Sequence, residues 1–475
     1  MTSPVILWFR RDFRLGDNPA LEAALDADRP VLPLYIHDPD LHGRPNGAAS
    51  DWWLDKSLRA LEADLKDRSA SLVVRRGDSA EVLNGLIDET GAECVFMNRL
   101  FEPRAWARDK AIADALKAKD VEARGFNATS MAPPGSVLTK QGQPFKVFTP
   151  FFKALMDQAP ERRGRAVPKA IPGAKGVDGV TIASLKLHPS RPDWSGGFDW
   201  EPGEAGAHKA LDRFIDEALA DYATGRDRPD REGTSRLSPY LHWGEIDPWR
   251  VVRTVRNAAD HGDVSHGAAE KFVAELAWRE FSIQLLDSFP SLHNRNFREG
   301  FDQMAWRTDT PGFRAWSRGV TGYPIVDAGM RQLWTTGWMH NRVRMIVASF
   351  LIKDLLIDWR EGEKWFWDCL VDADHANNSQ NWQWVAGSGA DASPFFRIFN
   401  PISQGEKFDP KGDYVRRWVP ELAAMPADWI HKPWEAPSHV RHRAGVILGE
   451  NYPKPIVDHG MARQRALDAL KETRG

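Results

Sequence analysis

The pattern of apolar and polar positions divides the chain into two unlike halves. In the first, uninterrupted apolar runs at Val5–Phe9, Val31–Ile36, Leu72–Val74 and Cys94–Met97 alternate with amphipathic stretches. A run without polar alternation predicts a strand covered on both faces. The stretches between predict helices over Ala20–Asp28, Trp52–Leu65, Ser79–Thr90 and Pro103–Lys119. Asp17-Asn18-Pro19 opens the first of these, a capping side chain followed by proline at the first helical position. Such alternation predicts a Rossmann-like α/β domain over residues 1–130, a parallel five-stranded sheet with helices on both faces. The pattern dissolves from about Ala159 to Glu204, where proline, glycine and basic residues dominate, and residues 131–204 read as an interdomain connector. From 205 to 475 only helical periodicity remains, as in His208–Tyr222, Lys271–Phe289, Ile325–Thr335, Trp338–Trp359 and Glu363–Leu370. This second half predicts an all-helical domain.

A length of 475 residues agrees with more than one domain. The formal charge of −3 excludes a uniformly basic nucleic-acid coat, so any such contact needs a local patch. Two cysteines, Cys94 and Cys369, exclude a disulfide framework and fit a reducing, cytoplasmic setting. No run reaches the roughly 18 apolar residues of a membrane helix. The N-terminus lacks the charged-then-apolar order of a signal peptide. Tryptophan is the unusual count, at 21. That many indoles imply a very aromatic core or a protein that handles flat rings and electrons.

Five stretches could carry chemistry. The turn after the first apolar run holds Arg10, Arg11, Asp12 and Arg14 without a GxGxxG pattern, and reads as an ion-paired loop. GTSRLSPYLHWGEI sets Thr234, Ser235 and Ser238 beside Arg236 at a helix start, which suits a phosphate or a plain helix cap. In Lys271–Phe289 one face carries Glu275, Trp278, Arg279 and Ser282. A Glu275–Arg279 ion pair is the simple reading, but a tryptophan in a polar stripe points to recognition. In Trp338–Trp359 the stripe is Trp338, Arg342 and Met345, with Asn341 and Arg344 beside it. Apolar neighbours bury this helix, so its arginines need partners, expected from Asp372 and Asp374 of DADHANNSQNWQW. That segment suits orientation of a polar heterocycle better than a metal, since His375 is its only soft ligand. Lastly, Arg397, Lys407, Arg416 and Arg417 interleave with Phe395, Phe396, Phe399, Phe408, Tyr414 and Trp418, a pattern for nucleic acid or for ordinary packing. G-x-S-x-G, Walker and HExxH motifs are absent, so an enzyme here would depend on a bound cofactor.

VILWFRRDFRLGDNPAL, GTSRLSPYLHWGEI, ELAWREF, TGYPIVDAGMRQLWTTGWMHNRVRMIVASFLIKDLLIDWREGE, DADHANNSQNWQW and FRIFNPISQGEKFDPKGDYVRRWVPEL resemble, in this order, the motifs of the photolyase/cryptochrome flavoprotein family. Within it the chain looks most like the microbial cyclobutane pyrimidine dimer photolyases. The resemblance implies an N-terminal antenna domain and a helical C-terminal domain holding FAD. By motif position it implies phosphate contacts at Tyr222, Thr234, Ser235, Arg236, Leu237 and Ser238. Glu275, Arg279, Trp338, Asn341, Arg344, Asp372 and Asp374 would line the FAD pocket, with Asn378 at flavin N5. Trp382, Trp359 and Trp306 fall on the family's electron-transfer chain, and Trp278, Trp384 and Met345 where it contacts a flipped-out dimer. Glu275 would hydrogen-bond that dimer, and Arg226, Arg342 and Arg397 would face DNA phosphates. The implied reaction is blue-light-driven repair, in which excited reduced FAD lends an electron to an extruded dimer.

The resemblance also sets limits. Relatives that repair the pyrimidine–pyrimidone photoproduct carry histidines where this chain has Asn341 and Met345, and iron–sulfur relatives need four cysteines. An antenna chromophore is expected, a folate such as methenyltetrahydrofolate favoured over a deazaflavin or none. FEPRAWARD lacks the family's folate-binding Asn-Glu pair, which shifts attention to Trp52, Trp53 or Trp106 as stacking platforms. His375 departs from the small or aliphatic residue expected there. The expected partner is UV-damaged DNA, met by a monomer with no membrane contact and no obligate protein partner. A blue-light sensor that binds FAD without repair is the rival reading.

Overall fold

Five parallel strands form one sheet in the computed structural model, which describes residues 2–38, 44–159, 161–392 and 396–473. They are β1 (Val5–Phe9), β2 (Val31–His37), β3 (Val73–Arg76), β4 (Cys94–Asn98) and β5 (Glu122–Phe126), in the order β3-β2-β1-β4-β5. Val5 lies opposite both Val31 and Cys94. The sheet explains why β1 is apolar throughout. Val5, Leu7 and Phe9 enter one hydrophobic cluster, while Ile6 and Trp8 enter another on the opposite face. The connecting helices are α1 (Pro19–Asp26), α2 (Ala48–Lys66), α3 (Ser79–Thr90) and α4 (Pro103–Lys117). β5 reads EARGF and is half exposed, as an edge strand with little apolar signal would be.

The arginine turn after β1 is ion-paired and buried, and it joins the two halves. Arg10 pairs with Asp109, and Arg11 with Glu102. Arg14 donates to the carbonyls of Gly16, Asp17 and Ala128, and at 2.8 Å to that of Gly244 in the helical half. Trp52 and Trp53, expected as stacking platforms, are both core residues. The Trp53 indole N–H donates to the buried carboxylate of Glu245 at 3.2 Å, and Trp52 packs edge-on against Phe198. Trp106 remains 44% exposed.

Within residues 131–204 lies a helix, α5 (Phe148–Gln158). Its Phe148, Phe151 and Leu155 are buried, and Phe148 stacks on Trp278 of the following half with centroids 3.7 Å apart. The 23-residue helix His266–Ser288 runs through the helical half, capped by the Ser265 hydroxyl on Ala268 N–H. The long helix expected over Trp338–Trp359 is three pieces. An α-helix covers Asn341–Ser349, a wider π-type turn covers Phe350–Asp354, and a new helix covers Trp359–Cys369. Leu356 takes a left-handed φ of 55° between them. The apolar periodicity crosses this break because residues 350–357 are all buried. Trp338 therefore precedes the helix, and Asn341 is its first, exposed residue.

Candidate active site

The sequence-predicted residues gather in the helical half, in four connected groups. The first surrounds Trp338. Its indole N–H donates to Ser238 Oγ at 3.3 Å, and the Arg236 guanidinium lies 4.2 Å from the Trp200 ring centroid and 5.3 Å from that of Trp338. Arg236 has φ 52°, a conformation that costs a non-glycine residue energy and that the flanking indoles help to hold. Arg344 lies 6.0 Å from the same ring and pairs with Asp372 at 2.8 Å. Thr234 and Ser235 are half-buried beside this group, and Leu237 is buried under it.

Asp374 anchors the second group. It caps the helix His375–Ala386 by accepting from Asn377 N–H, and faces His242 at 3.3 Å. Burial by itself would raise its pKa. The hydrogen bond from His242 and the charges of His242, Arg11 and Arg279 outweigh that and hold it far below the usual range. Burial, with Arg11 nearby, in turn lowers the pKa of His242. Arg11 is pushed down to about 10, mainly by burial. Arg11, Glu102, His242, Arg279 and Asp374 line a cleft between the turn after β1 and the helical half.

Two expected pairings give way to others. Arg279 does not pair with Glu275. It donates to Glu280 at 2.6 Å and to the carbonyls of Thr129 and Leu241, because Glu280 is fully buried beside it and needs a countercharge. Glu275 pairs with Arg226 instead, next to the ring of Tyr222. Arg342 is held by Asp227 at 2.8 Å rather than by Asp374, and lies over Phe408. Met345 is half-buried within reach of the Arg342 guanidinium. This third group, with Trp278, forms a rim of mixed charge and aromatic surface.

The fourth group is centred on Asn378, whose side-chain amide donates to Glu363 Oε1 at 2.8 Å and to the Glu363 carbonyl at 3.1 Å. Trp382, one helical turn on, packs edge-on to Phe366 at 4.9 Å and lies 6.3 Å from Trp316. A Cβ on Gly362 would overlap the Trp382 ring, so only glycine fits there. Trp359 is fully buried and donates to Asn296 Oδ1 at 3.0 Å, whereas Trp306 is half-buried. Trp384 is half-buried and donates to the Asp391 carbonyl, while the Arg397 side chain is exposed. Phe395 lies outside the described residues. Sequence reasoning missed His242, Glu280, Glu363 and Arg44 as members of the site. Glu363 stands on an amphipathic helix, where a charge ordinarily signals solvent, and Glu280 on a helix buried on most sides.

Several buried polar atoms here lack a protein partner, among them Asp372 Oδ1, Arg236 Nε, Ser379 Oγ and His375 Nδ1. Together they offer acceptors and donors to a ligand of mixed polarity. Comparison with known proteins agrees in kind. A family model described as DNA photolyase matches residues 5–172, and one described as the FAD binding domain of DNA photolyase matches residues 272–472. A deoxyribodipyrimidine photo-lyase of Agrobacterium fabrum is 51% identical over 471 residues, 98% of each chain. Cryptochrome-1 of Arabidopsis thaliana is 38% identical over 98% of this chain and 70% of its own length. The crystal structure of a bacterial class III photolyase from Agrobacterium tumefaciens superposes with a TM-score of 0.97 at 50% identity, covering 100% of this chain and 98% of that one. Among the described residues no helix is long and apolar enough to cross a membrane.

Proposed function

Because this chain belongs to the DNA photolyase family, we propose that it repairs cyclobutane pyrimidine dimers in UV-damaged DNA under blue light. Its FAD-binding domain and its relatives' activity as deoxyribodipyrimidine photo-lyases are the premise. The observation that carries the reading is the convergence of side chains from five separate segments on one region. Ser238 meets Trp338, Arg344 meets Asp372, Asp374 meets His242 and Arg279, and Glu275 meets Arg226.

The residues fit FAD. Arg236 and the hydroxyls of Thr234, Ser235 and Ser238 would hold the phosphates, while Asp372 Oδ1 offers a buried acceptor to a ring N–H. Reduced FAD, when bound, supplies the electron that light promotes. The protein's own share is positioning and electrostatics. Asp374, kept ionised by its cationic neighbours, and Arg344 fix the polarity of the pocket. Asn378 turns its amide nitrogen toward Glu363 and so offers its carbonyl oxygen to the flavin. Glu275 and Trp278 would receive the flipped-out dimer. Phe148 already covers one face of the Trp278 indole, which leaves the other for stacking. Arg226, Arg342 and Arg397 would meet phosphates, and Trp384 and Met345 the lesion. Trp382, Trp359 and Trp306 would carry electrons inward to the oxidised flavin.

We take the acting form to be a cytoplasmic monomer with an antenna chromophore, a folate of the methenyltetrahydrofolate type before a deazaflavin. The roles are tested by Glu275→Ala and Asn378→Asp. Each is expected to lower repair yield several-fold while FAD stays bound, and unchanged yield in both refutes the two assignments.

A further inference from the structure

Glu363 is almost fully buried on the helix Trp359–Cys369, yet its countercharge comes from the other half of the chain. Arg44, in the segment leading into α2, grips it with two parallel hydrogen bonds, Nη2 to Oε1 at 2.6 Å and Nη1 to Oε2 at 3.0 Å. The guanidinium lies flat over the Trp367 ring, 3.3 Å from its centroid. The segment is fastened to that helix at several points. Trp367 Nε1 donates to the Pro45 carbonyl at 2.9 Å, Ala48 N–H to Asp368, and Ser50 Oγ to the Leu370 carbonyl. Gly47 passes so close that a Cβ would overlap the Trp367 backbone. Arg44 is thus held in place by its surroundings.

Glu363 Oε1 also accepts from Asn378 Nδ2 at 2.8 Å. We propose that Arg44 is a positioning residue for Asn378, acting through Glu363 to decide which end of the Asn378 amide faces the flavin. An ionised carboxylate is acceptor-only, so it can face only the NH2 end of an amide. The paired guanidinium supplies the countercharge and two donors on the far side of the carboxylate, which leaves Oε1 turned to Nδ2. Without that countercharge the carboxylate is free to turn Oε1 away from Nδ2, and the NH2 end loses its shorter anchor and can turn outward. The Glu363 carbonyl, at 3.1 Å, is a second acceptor for Nδ2, so Arg44 governs the shorter of two anchors. The consequence is redox bias. An amide oxygen accepts from the N5–H of reduced flavin, whereas an amide NH2 donates to unprotonated N5 of the oxidised form. Arg44, from the sheet domain, therefore favours the reduced cofactor. This inference rests on the reading above that Asn378 faces flavin N5.

The test uses the FAD-loaded full chain and spectroelectrochemical titration. Arg44→Gln is expected to shift the oxidised/reduced equilibrium toward oxidised flavin at least fivefold, about 20 mV for a two-electron couple. Arg44→Lys, which keeps the charge, should stay within twofold of the parent. Glu363→Gln, whose amide lets either end of Asn378 approach, should shift the same way, and this holds if Arg44→Gln does not fold. Adding Arg44→Gln to Glu363→Gln should add nothing. An additive shift in that double variant, or no shift in Arg44→Gln while Asn378→Ala does shift, overturns the proposal alone. No shift in Asn378→Ala overturns the placement of Asn378 at the flavin.

Discussion

Glu245 is completely buried between the two halves, and it accepts from Trp53 Nε1, Ser57 Oγ and Gly203 N–H. No cation pairs with it among the described residues. Burial pushes its pKa up to about 8 from 4.5, although the three donors pull the other way. A raised acid stabilises the fold fully below its unfolded pKa and loses that contribution as pH climbs through the folded value. The difference of about 3.5 units costs ~3 kcal/mol at pH 7 and ~4 kcal/mol at pH 8, against ~1 kcal/mol at pH 5. Glu245→Gln removes the titration and leaves a carbonyl for the three donors, which all reach Oε1; its NH2 replaces Oε2, 3.2 Å from the Trp53 indole nitrogen, a donor–donor cost that does not vary with pH and so cancels between pH values. A chain of this length melts with an entropy near ~1 kcal/mol per degree. The melting temperature of the variant relative to the parent should therefore rise by about 3–4 °C between pH 5 and pH 8. Scanning calorimetry on both proteins at four pH values measures it. Parallel profiles would refute the assignment of a buried, titrating carboxyl.

Three further outcomes are expected. Trp382→Phe should abolish photoreduction of the oxidised flavin, followed by absorbance, while repair by chemically reduced protein persists; normal photoreduction removes Trp382 from the chain. Gly362→Ala drives a methyl into the Trp382 ring and should cost about 1–3 kcal/mol in denaturant unfolding, with Trp382 displaced and photoreduction slowed. Arg344→Ala strands the buried Asp372 carboxylate, a loss of about 3–5 kcal/mol, and should release FAD on gel filtration; Asp372→Asn in the same chain should recover part of the stability.

The parts of the fold written in local pattern were readable. Continuous apolar runs marked β1, β2 and β4, because helices cover both faces of the sheet and leave no polar side. The break at Leu356 was invisible, since a π-type turn buried on all sides keeps the apolar count of a helix. The structure brings the motif residues of the helical half near one another and pairs Arg344 with Asp372 as expected, but the other ion pairs differ from those the spacing suggested. Arg342 finds Asp227, Arg279 finds Glu280, and Glu363 finds Arg44 more than 300 residues away. Ion pairs between distant segments are fixed by tertiary packing, which no spacing rule within one helix encodes.

The central claim is light-driven repair. Its most direct test illuminates UV-damaged oligothymidine with the reduced, FAD-loaded protein under blue light, beside a dark control, and follows the return of thymine absorbance. The account predicts recovery in the light and none in the dark. Absence of recovery from a protein that binds and photoreduces its flavin would contradict it and favour a light-sensing role.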